Sequence, residues 1–325
     1  MWRAFGTFPQ QLSDGLAAGS AVRTATPATI LLAGMGGSGI GGALAAGWLA
    51  QRASVPLVPW PEETPPGHLG WEDLVLAVSY SGETGETLAV ARAALQRRAR
   101  VVAITTGGSL ASMVQEAGHP VVRVPAGMQP RSALGFLFGA VVGVLGSAVA
   151  PGAHDELARA VKALEPLPRQ LREDERAPAH ILASQLGAEQ VHVVGHDLMA
   201  LAARRFATQL DENAKVVAAF HALPEGMHNV VVPLAAGAPD ARLVLLRRAN
   251  ESPLEAARFD HVRSEARVGQ VVEVRVPGEG VEQLLRAVLI GDAASLLLAE
   301  RLGRDPEEVA TIGRLKERLR RLGSG

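Results

Sequence analysis

Cysteine is absent from the 325-residue sequence, which excludes disulfides, thiolate nucleophiles and cysteine-ligated metal sites. An imbalance of charge is absent too. There are 32 basic and 33 acidic residues, for a formal net charge of −1, so no overall field draws the chain to nucleic acid or to an anionic membrane. The opening residues, MWRAFGTFPQQLSDG, lack the basic segment and long apolar run of a signal peptide, and a cytoplasmic location is expected. Lysine is scarce: of the 32 basic residues only Lys162, Lys215 and Lys316 are lysines. Genomic base composition accounts for such a bias, yet a point-charge ammonium and a planar guanidinium do different work, so the positions of the three are informative. The histidines form no HxxH or HExxH spacing, and neither a metal nor another cofactor is expected.

One stretch, Ser132 to Ala153, carries no charge and approaches the length that spans a bilayer. It reads instead as a helix buried on all sides, which is also uncharged all round. Strand and helix patterns continue on both sides of it, and a lone span would cut a domain in half. No membrane association is expected.

Strands and helices alternate along the rest of the chain. ATILLAGMGGSGIGG reads as a buried strand, a glycine-rich turn and a helix opening, followed by VPLVPW as a short strand, DLVLAVSYSGETGETLAVARAALQRR as strand, loop and helix, VVAITTGG as strand and loop, and VVRVP as another strand. Apolar runs of this kind suit parallel strands covered on both faces. A segment rich in charge, proline and helix formers, PGAHDELARAVKALEPLPRQLREDERAPAH, then connects to a second lobe. There QVHVVG, ARLVLLRR and QVVEVRVP read as strands, with AARRFATQLDENAKVVAAFH as helix and loop between the first two. Two helices divided by Gly303 to Pro306 close the chain, the second opened by proline and acidic residues. The expectation is an α/β fold of two lobes, each a parallel sheet flanked by helices as a three-layer sandwich, over residues 1–152 and 153–325.

Two loops carry the chemistry of the first lobe. Gly34 to Gly42 lies between a strand and a helix, where glycine permits positive φ and close backbone approach, and the helix N-terminus offers N–H groups to an anion. The same letters satisfy GxGxxG, and Glu62 or Glu63 stands about where a ribose-binding acid would sit, so dinucleotide binding is an alternative; a tight turn with no ligand is another. Ser79-Tyr80-Ser81-Gly82-Glu83-Thr84 follows the next strand and brings three hydroxyls to a second helix N-terminus. Hydroxyls and amides together coordinate a monoester phosphate without a basic residue. As plain structure these residues would be N-caps, a role that needs only one of the three.

The SxSGxT loop resembles that of sugar isomerase (SIS) domains, which bind phosphosugars. Across almost the whole chain, FPQQL, GMGGSGIGG, SYSGET, QPR, DENAK, PEGMHN and a closing DP…LK resemble, in that order, the bifunctional phosphoglucose/phosphomannose isomerase family. The resemblance implies that Ser79, Ser81 and Thr84 hold a substrate phosphate, with Gly36, Gly37 and Ser38 lining the same pocket. It places on Arg131 a guanidinium that stabilises an enediolate oxygen, where unaided reading leaves a surface cation at a helix start. It makes Glu212 the base that moves a proton between adjacent carbons, although Asp211 stands where the family often has Asn. His228 becomes the group that helps open the sugar ring, supplied across a homodimer interface, with Lys316 beside the substrate; the nearby His221 offers the same chemistry without the motif. Val230, Val231 and the DPEEV segment depart from the family pattern and bear on sugar preference. The expected activity is aldose–ketose isomerisation of fructose 6-phosphate with glucose 6-phosphate and mannose 6-phosphate, on a small-molecule sugar phosphate. A non-catalytic sugar-phosphate sensor and a nucleotide-dependent enzyme are the alternatives.

Overall fold

The computed structural model describes residues 1–323, apart from the side chains at positions 147, 148, 316 and 319–323. These residues form two compact units, one of Trp2–Arg169 with Pro277–Arg286 and one of Gln170–Val276 with the chain from Ala287 onward.

In chain order the first unit contains α1 (Trp2–Gly6), α2 (Phe8–Ser20), β1 (Ile30–Ala33), α3 (Gly36–Leu49), β2 (Leu57–Trp60), β3 (Leu74–Val78), α4 (Gly85–Gln96), β4 (Arg100–Thr105), α5 (Gly108–Glu116), β5 (Val121–Arg123), α6 (Leu134–Val149) and α7 (Ala153–Leu164), with α8 (Leu167–Glu173) following. Its strands are all parallel, in the order β2-β1-β3-β4-β5. Every residue of β1 and β3 is buried, as a sheet covered on both faces requires. Leu31, Val75 and Val101 pack with Val90 and Ala94 of α4 and with Leu110 of α5. The alternate face meets α3, where a Cβ on Gly42 would lie 3.3 Å from that of Leu32. Since α3 and α4 cover opposite faces, the chain leaves adjacent strands β1 and β3 in opposite directions. Their carboxyl ends therefore form a topological switch point, the position where open α/β sheets bind ligands.

The uncharged run folds as α6, buried at every position from Ala133 to Leu145, and among the described residues no helix is long and apolar enough to cross a membrane. Its glycines explain its composition. A Cβ on Gly15 of α2 would stand 2.3 Å from the Phe136 carbonyl oxygen, and one on Gly139 of α6 would stand 2.4 Å from that of Leu12. Gly19 and Gly143 repeat the pattern against Ala140 and Leu16, so two helices meet backbone to backbone along a reciprocal seam.

The second unit contains α9 (Pro178–Gln185), β6 (Gln190–His196), α10 (Leu198–Gln209), a π-helical turn (Leu210–Ala214), β7 (Ala218–Leu223), a 3₁₀ turn (Glu225–His228), α11 (Val231–Ala236), β8 (Ala238–Arg248), α12 (Pro253–Glu265), β9 (Val268–Val276), α13 (Gly280–Arg301, its first residues grouped with the other unit) and α14 (Ala310–Gly323). The sheet is again parallel, β7-β6-β8-β9. One strand differs from the sequence expectation: the residues after DENAK, read as helix and loop, form β7. It lies at the sheet edge with only Leu223 buried; its residues, AAFHAL, are apolar except for His221, and a short apolar run of this kind does not by itself distinguish a strand from a helix segment.

The α2–α6 seam predicts opposite outcomes for one chemical change. Gly139→Ala should cost about 2 kcal/mol through overpacking and lower the thermal midpoint by roughly 4–8 °C. Gly6→Ala, where no atom lies within 4 Å of the new Cβ, should leave the midpoint unchanged or raise it in the same melt.

Candidate active site

At the switch point of the first unit the two loops are bound to each other. The buried Ser38 hydroxyl, in the first turn of α3, accepts a hydrogen bond of 3.0 Å from the Tyr80 backbone N–H. Ser79 is fully buried, its Oγ accepting from the Gly82 N–H at 3.1 Å and lying 2.9 Å from Thr84 Oγ1. Ser81 is exposed and accepts from the Glu83 N–H at 3.2 Å. Thr84 occupies the N-cap of α4 without making a side-chain cap, and Met35, at the N-cap of α3, makes none either. The hydroxyls are therefore not used as simple caps, and two adjacent helix N-termini at the switch point are without one.

The glycines of the first loop are required by the protein's own packing. A Cβ on Gly34 would lie 2.8 Å from the Val78 carbonyl oxygen, and one on Gly39 2.3 Å from that of Gly34. Gly36 has φ +50°, a conformation that favours glycine. At Gly37 the space of a side chain is filled by another segment: a Cβ there would stand 2.7 Å from the Arg131 nitrogen and 2.8 Å from its Cα. Arg131 sits in a short 3₁₀ turn, Pro130–Ala133, and is 3% exposed. It is thus a buried guanidinium beside the first turn of α3 and not a surface cation.

Tyr80, the single tyrosine of the chain, organises the surroundings. Its hydroxyl donates to the Pro125 carbonyl at 2.8 Å and accepts from the Met128 N–H at 3.1 Å, tying down the segment that leads to Arg131. Burial raises its pKa, while the Met128 hydrogen bond opposes the rise. Ser109 and Thr105, candidates for the pocket by residue type, are engaged locally: the Glu83 carboxylate accepts from the Ser109 N–H at 2.7 Å, and Thr105 Oγ1 donates to the Gly107 carbonyl at 2.9 Å. Nothing in the residue pattern distinguishes these roles from ligand binding; being the sole tyrosine is the one signal that would have singled out Tyr80.

The second unit carries the remaining candidates. Glu212 is half-buried in the π-helical turn that ends α10, and irregular helical turns of this kind are frequent at functional sites. Next to it the Asp211 carboxylate accepts from the Ala218 N–H at 3.0 Å; burial raises its pKa against that bond. Beneath the turn, buried Asn213 donates to Ser295 Oγ at 2.9 Å, and Ser295 donates to the Asp292 carbonyl oxygen at 2.7 Å. The Asp292 carboxylate in turn receives Nε and Nη2 of buried Arg205 at 3.0 and 2.9 Å. His228 is exposed at the end of its 3₁₀ turn. His221 is paired within the protein, its Nε2 lying 2.9 Å from His192 Nδ1 on the neighbouring strand, and burial lowers the pKa of both rings. The side chain of Lys316 lies outside the described residues. Among the described residues no group of three or more His, Asp or Glu could hold a metal ion.

A parallel sheet with hydroxyl and glycine loops at its switch point is the arrangement of a phosphosugar-binding SIS domain, and the SIS-domain model matches residues 25–142. The model for the bacterial phospho-glucose isomerase C-terminal SIS domain matches residues 175–319. The chain is 33% identical over 305 residues to the bifunctional phosphoglucose/phosphomannose isomerase of Aquifex aeolicus (strain VF5), covering 90% of each chain. It is 28% identical to the protein of that name from Caldicellulosiruptor bescii, over 98% of both. In fold it resembles tagatose-6-phosphate ketose/aldose isomerase from Escherichia coli, with TM-score 0.76, 16% identity and 94% of each chain covered. The chain belongs to the bifunctional phosphoglucose/phosphomannose isomerase family.

Two outcomes follow from these contacts. Tyr80→Phe removes the partner of a carbonyl and an amide, and should cost about 1–3 kcal/mol in a denaturant titration while weakening inorganic phosphate binding measured by calorimetry. The histidine pair makes stability depend on pH. Because both folded-state values lie below the ordinary 6.5, the unfolded chain binds protons more readily, and the pair's contribution is complete above that value and lost as pH falls through the lowered ones. Between about pH 7 and about pH 5, His221→Phe should lose less thermal stability than the unaltered protein.

Proposed function

We propose that the chain interconverts fructose 6-phosphate with glucose 6-phosphate and with mannose 6-phosphate through a cis-enediolate. The observation that carries this reading is the group of hydroxyls and helix N-termini without side-chain caps at the β1–β3 switch point, in a chain related over nearly its full length to isomerases named for these sugars. In this reading Ser81 and Thr84 bind the phosphate, Ser79 holds Thr84 in place, and Gly36, Gly37 and Ser38 complete the cradle. A phosphate anchored away from the reacting carbons turns binding energy into orientation.

Glu212 removes the proton from the carbon next to the carbonyl and returns it to the neighbouring carbon, so the reaction is redox-neutral overall and draws on no external electron carrier. Arg131 offsets the charge that develops on the enediolate oxygens. Return of the proton to either face of the planar intermediate yields the two epimeric aldoses. His228 and Lys316 open the sugar ring by moving a proton between ring oxygen and anomeric hydroxyl. A cytoplasmic homodimer, with His228 contributed to the neighbouring copy, belongs to the same reading, and the exposure of His228 in a single chain supports it.

A coupled assay with fructose 6-phosphate should yield both aldoses, and Glu212→Gln should lower kcat by roughly 10²–10⁴-fold while fructose 6-phosphate still raises the melting temperature. Ser81→Ala should lower kcat/KM by roughly 10–100-fold, the worth of one hydrogen bond to a charged group. Full turnover by Glu212→Gln would remove the base. A protein stabilised by fructose 6-phosphate but silent in both assays would be a sugar-phosphate-binding protein on this scaffold.

A further inference from the structure

The π-helical turn that holds Glu212 ends in a concentration of carbonyls that the helix cannot satisfy. Lys215, just past the turn, adopts φ +52°, and its N–H closes back onto the Leu210 carbonyl. The carbonyls of residues 212, 213, 214 and 215 are then met by two cations. Lys215 Nζ donates to the Glu212 carbonyl at 2.9 Å, to that of Asn213 at 3.4 Å, and to that of Asp305. Arg304 Nη1 donates to the Ala214 and Lys215 carbonyls, each at 2.6 Å. Both cations sit at the end of a helix, where positive charge is stabilising.

The bonds run in both directions. Lys215 reaches from the turn to the backbone of residue 305, and Arg304 reaches from the adjacent residue back to the turn. Residues 210–215 and 304–305 are thus fastened by a reciprocal clasp, and the second of these segments leads into α14. The chemistry of Lys215 is specific to an ammonium. Its three donors converge from one nitrogen on three carbonyls, whereas a guanidinium spreads its donors in a planar fork. In a chain that uses arginine for all but three of its basic residues, one of the three lysines stands at this point of convergence.

We propose that Lys215 and Arg304 are positioning residues for isomerisation: by satisfying the carbonyls of residues 212–215 and tying the turn to residues 304–305, they hold Glu212 at the position from which it exchanges a proton with the substrate. The inference rests on the reading of Glu212 as the base. The clasp acts on the backbone of the turn and not on the phosphate cradle, so its loss falls on the chemical step. A displacement of about 1 Å of a catalytic group costs on the order of 10²-fold in rate.

The test uses the full-length protein with Lys215→Met, Lys215→Arg, Arg304→Gln, Glu212→Gln and, as a control at an exposed site, Lys162→Arg. Steady-state kinetics with fructose 6-phosphate, the pH profile of kcat and the melting temperature are measured for each. Lys215→Met and Arg304→Gln should lower kcat by roughly 10–100-fold with KM changed less than about threefold, and should shift the acid limb of the kcat profile. Lys215→Arg, although it keeps the charge, should not restore the rate, and Lys162→Arg should match the unaltered protein. A folded Lys215→Met enzyme with unchanged kcat and an unshifted profile overturns the proposal, as does a change confined to KM or to melting temperature. If Lys215→Met does not fold, Arg304→Gln decides by the same criteria. Full turnover by Glu212→Gln indicts the base assignment itself, whereas an inactive Glu212→Gln beside fully active clasp variants leaves the base in place and removes the clasp.

Discussion

Close approach of backbone to backbone, possible only where a side chain is missing, is the constraint on which the first unit depends. The volume that a Cβ on Gly37 would need is occupied by the backbone of Arg131, so the glycine loop and the arginine turn are set against each other by exclusion. Gly34 and Gly39 repeat the device within the loop, and Gly82 allows the SYSGET loop to lie against the Gly107 carbonyl. The same economy joins α2 to α6 along a seam of alternating glycines and carbonyls. The glycine-rich letters are thereby accounted for by internal packing, which removes the need to explain them by a dinucleotide.

The ends of helices are treated in two opposite ways. At the amino ends of α3 and α4 no side-chain cap is made; Ser38 holds the glycine loop to Tyr80, while Ser79, Ser81 and Thr84 bond within their own loop. The partial positive charge of such helix ends suits an anion. At the end of the π-helical turn that follows α10, the carbonyls of residues 212–215 are met by the protein's own cations. Both arrangements answer the same requirement, that terminal backbone groups find partners. In the proposed reading the substrate phosphate supplies the partner in one case, whereas in the other it is built in.

Below the Glu212 turn, a connected polar chain runs from Asn213 through Ser295 to the backbone of Asp292, whose carboxylate is gripped by buried Arg205. Removing one member of such a chain strands the others away from water, which is why buried polar networks specify one arrangement more sharply than an apolar contact does. The turn is thus supported from below by neutral and ionic hydrogen bonds and from its end by the clasp.

The parallel-sheet architecture of both units, the two loops of the first and the isomerase family were legible in the amino-acid order, because apolar runs, glycine clusters and hydroxyl-bearing motifs are local properties of the chain. β7 was not, since a short apolar run at a sheet edge, AAFHAL, does not by itself distinguish a strand from a helix segment. Nor were the buried state of Arg131, the Tyr80 hydrogen bonds or the Lys215–Arg304 clasp. Each depends on groups brought together from distant parts of the chain: 48 positions separate Tyr80 from Met128 and 90 separate Lys215 from Asp305. The sequence by itself determined which residue types are available at each loop and helix end. Only the tertiary structure decided which of them meet, because hydrogen bonding and steric exclusion act at a few ångströms and leave no pattern along the chain.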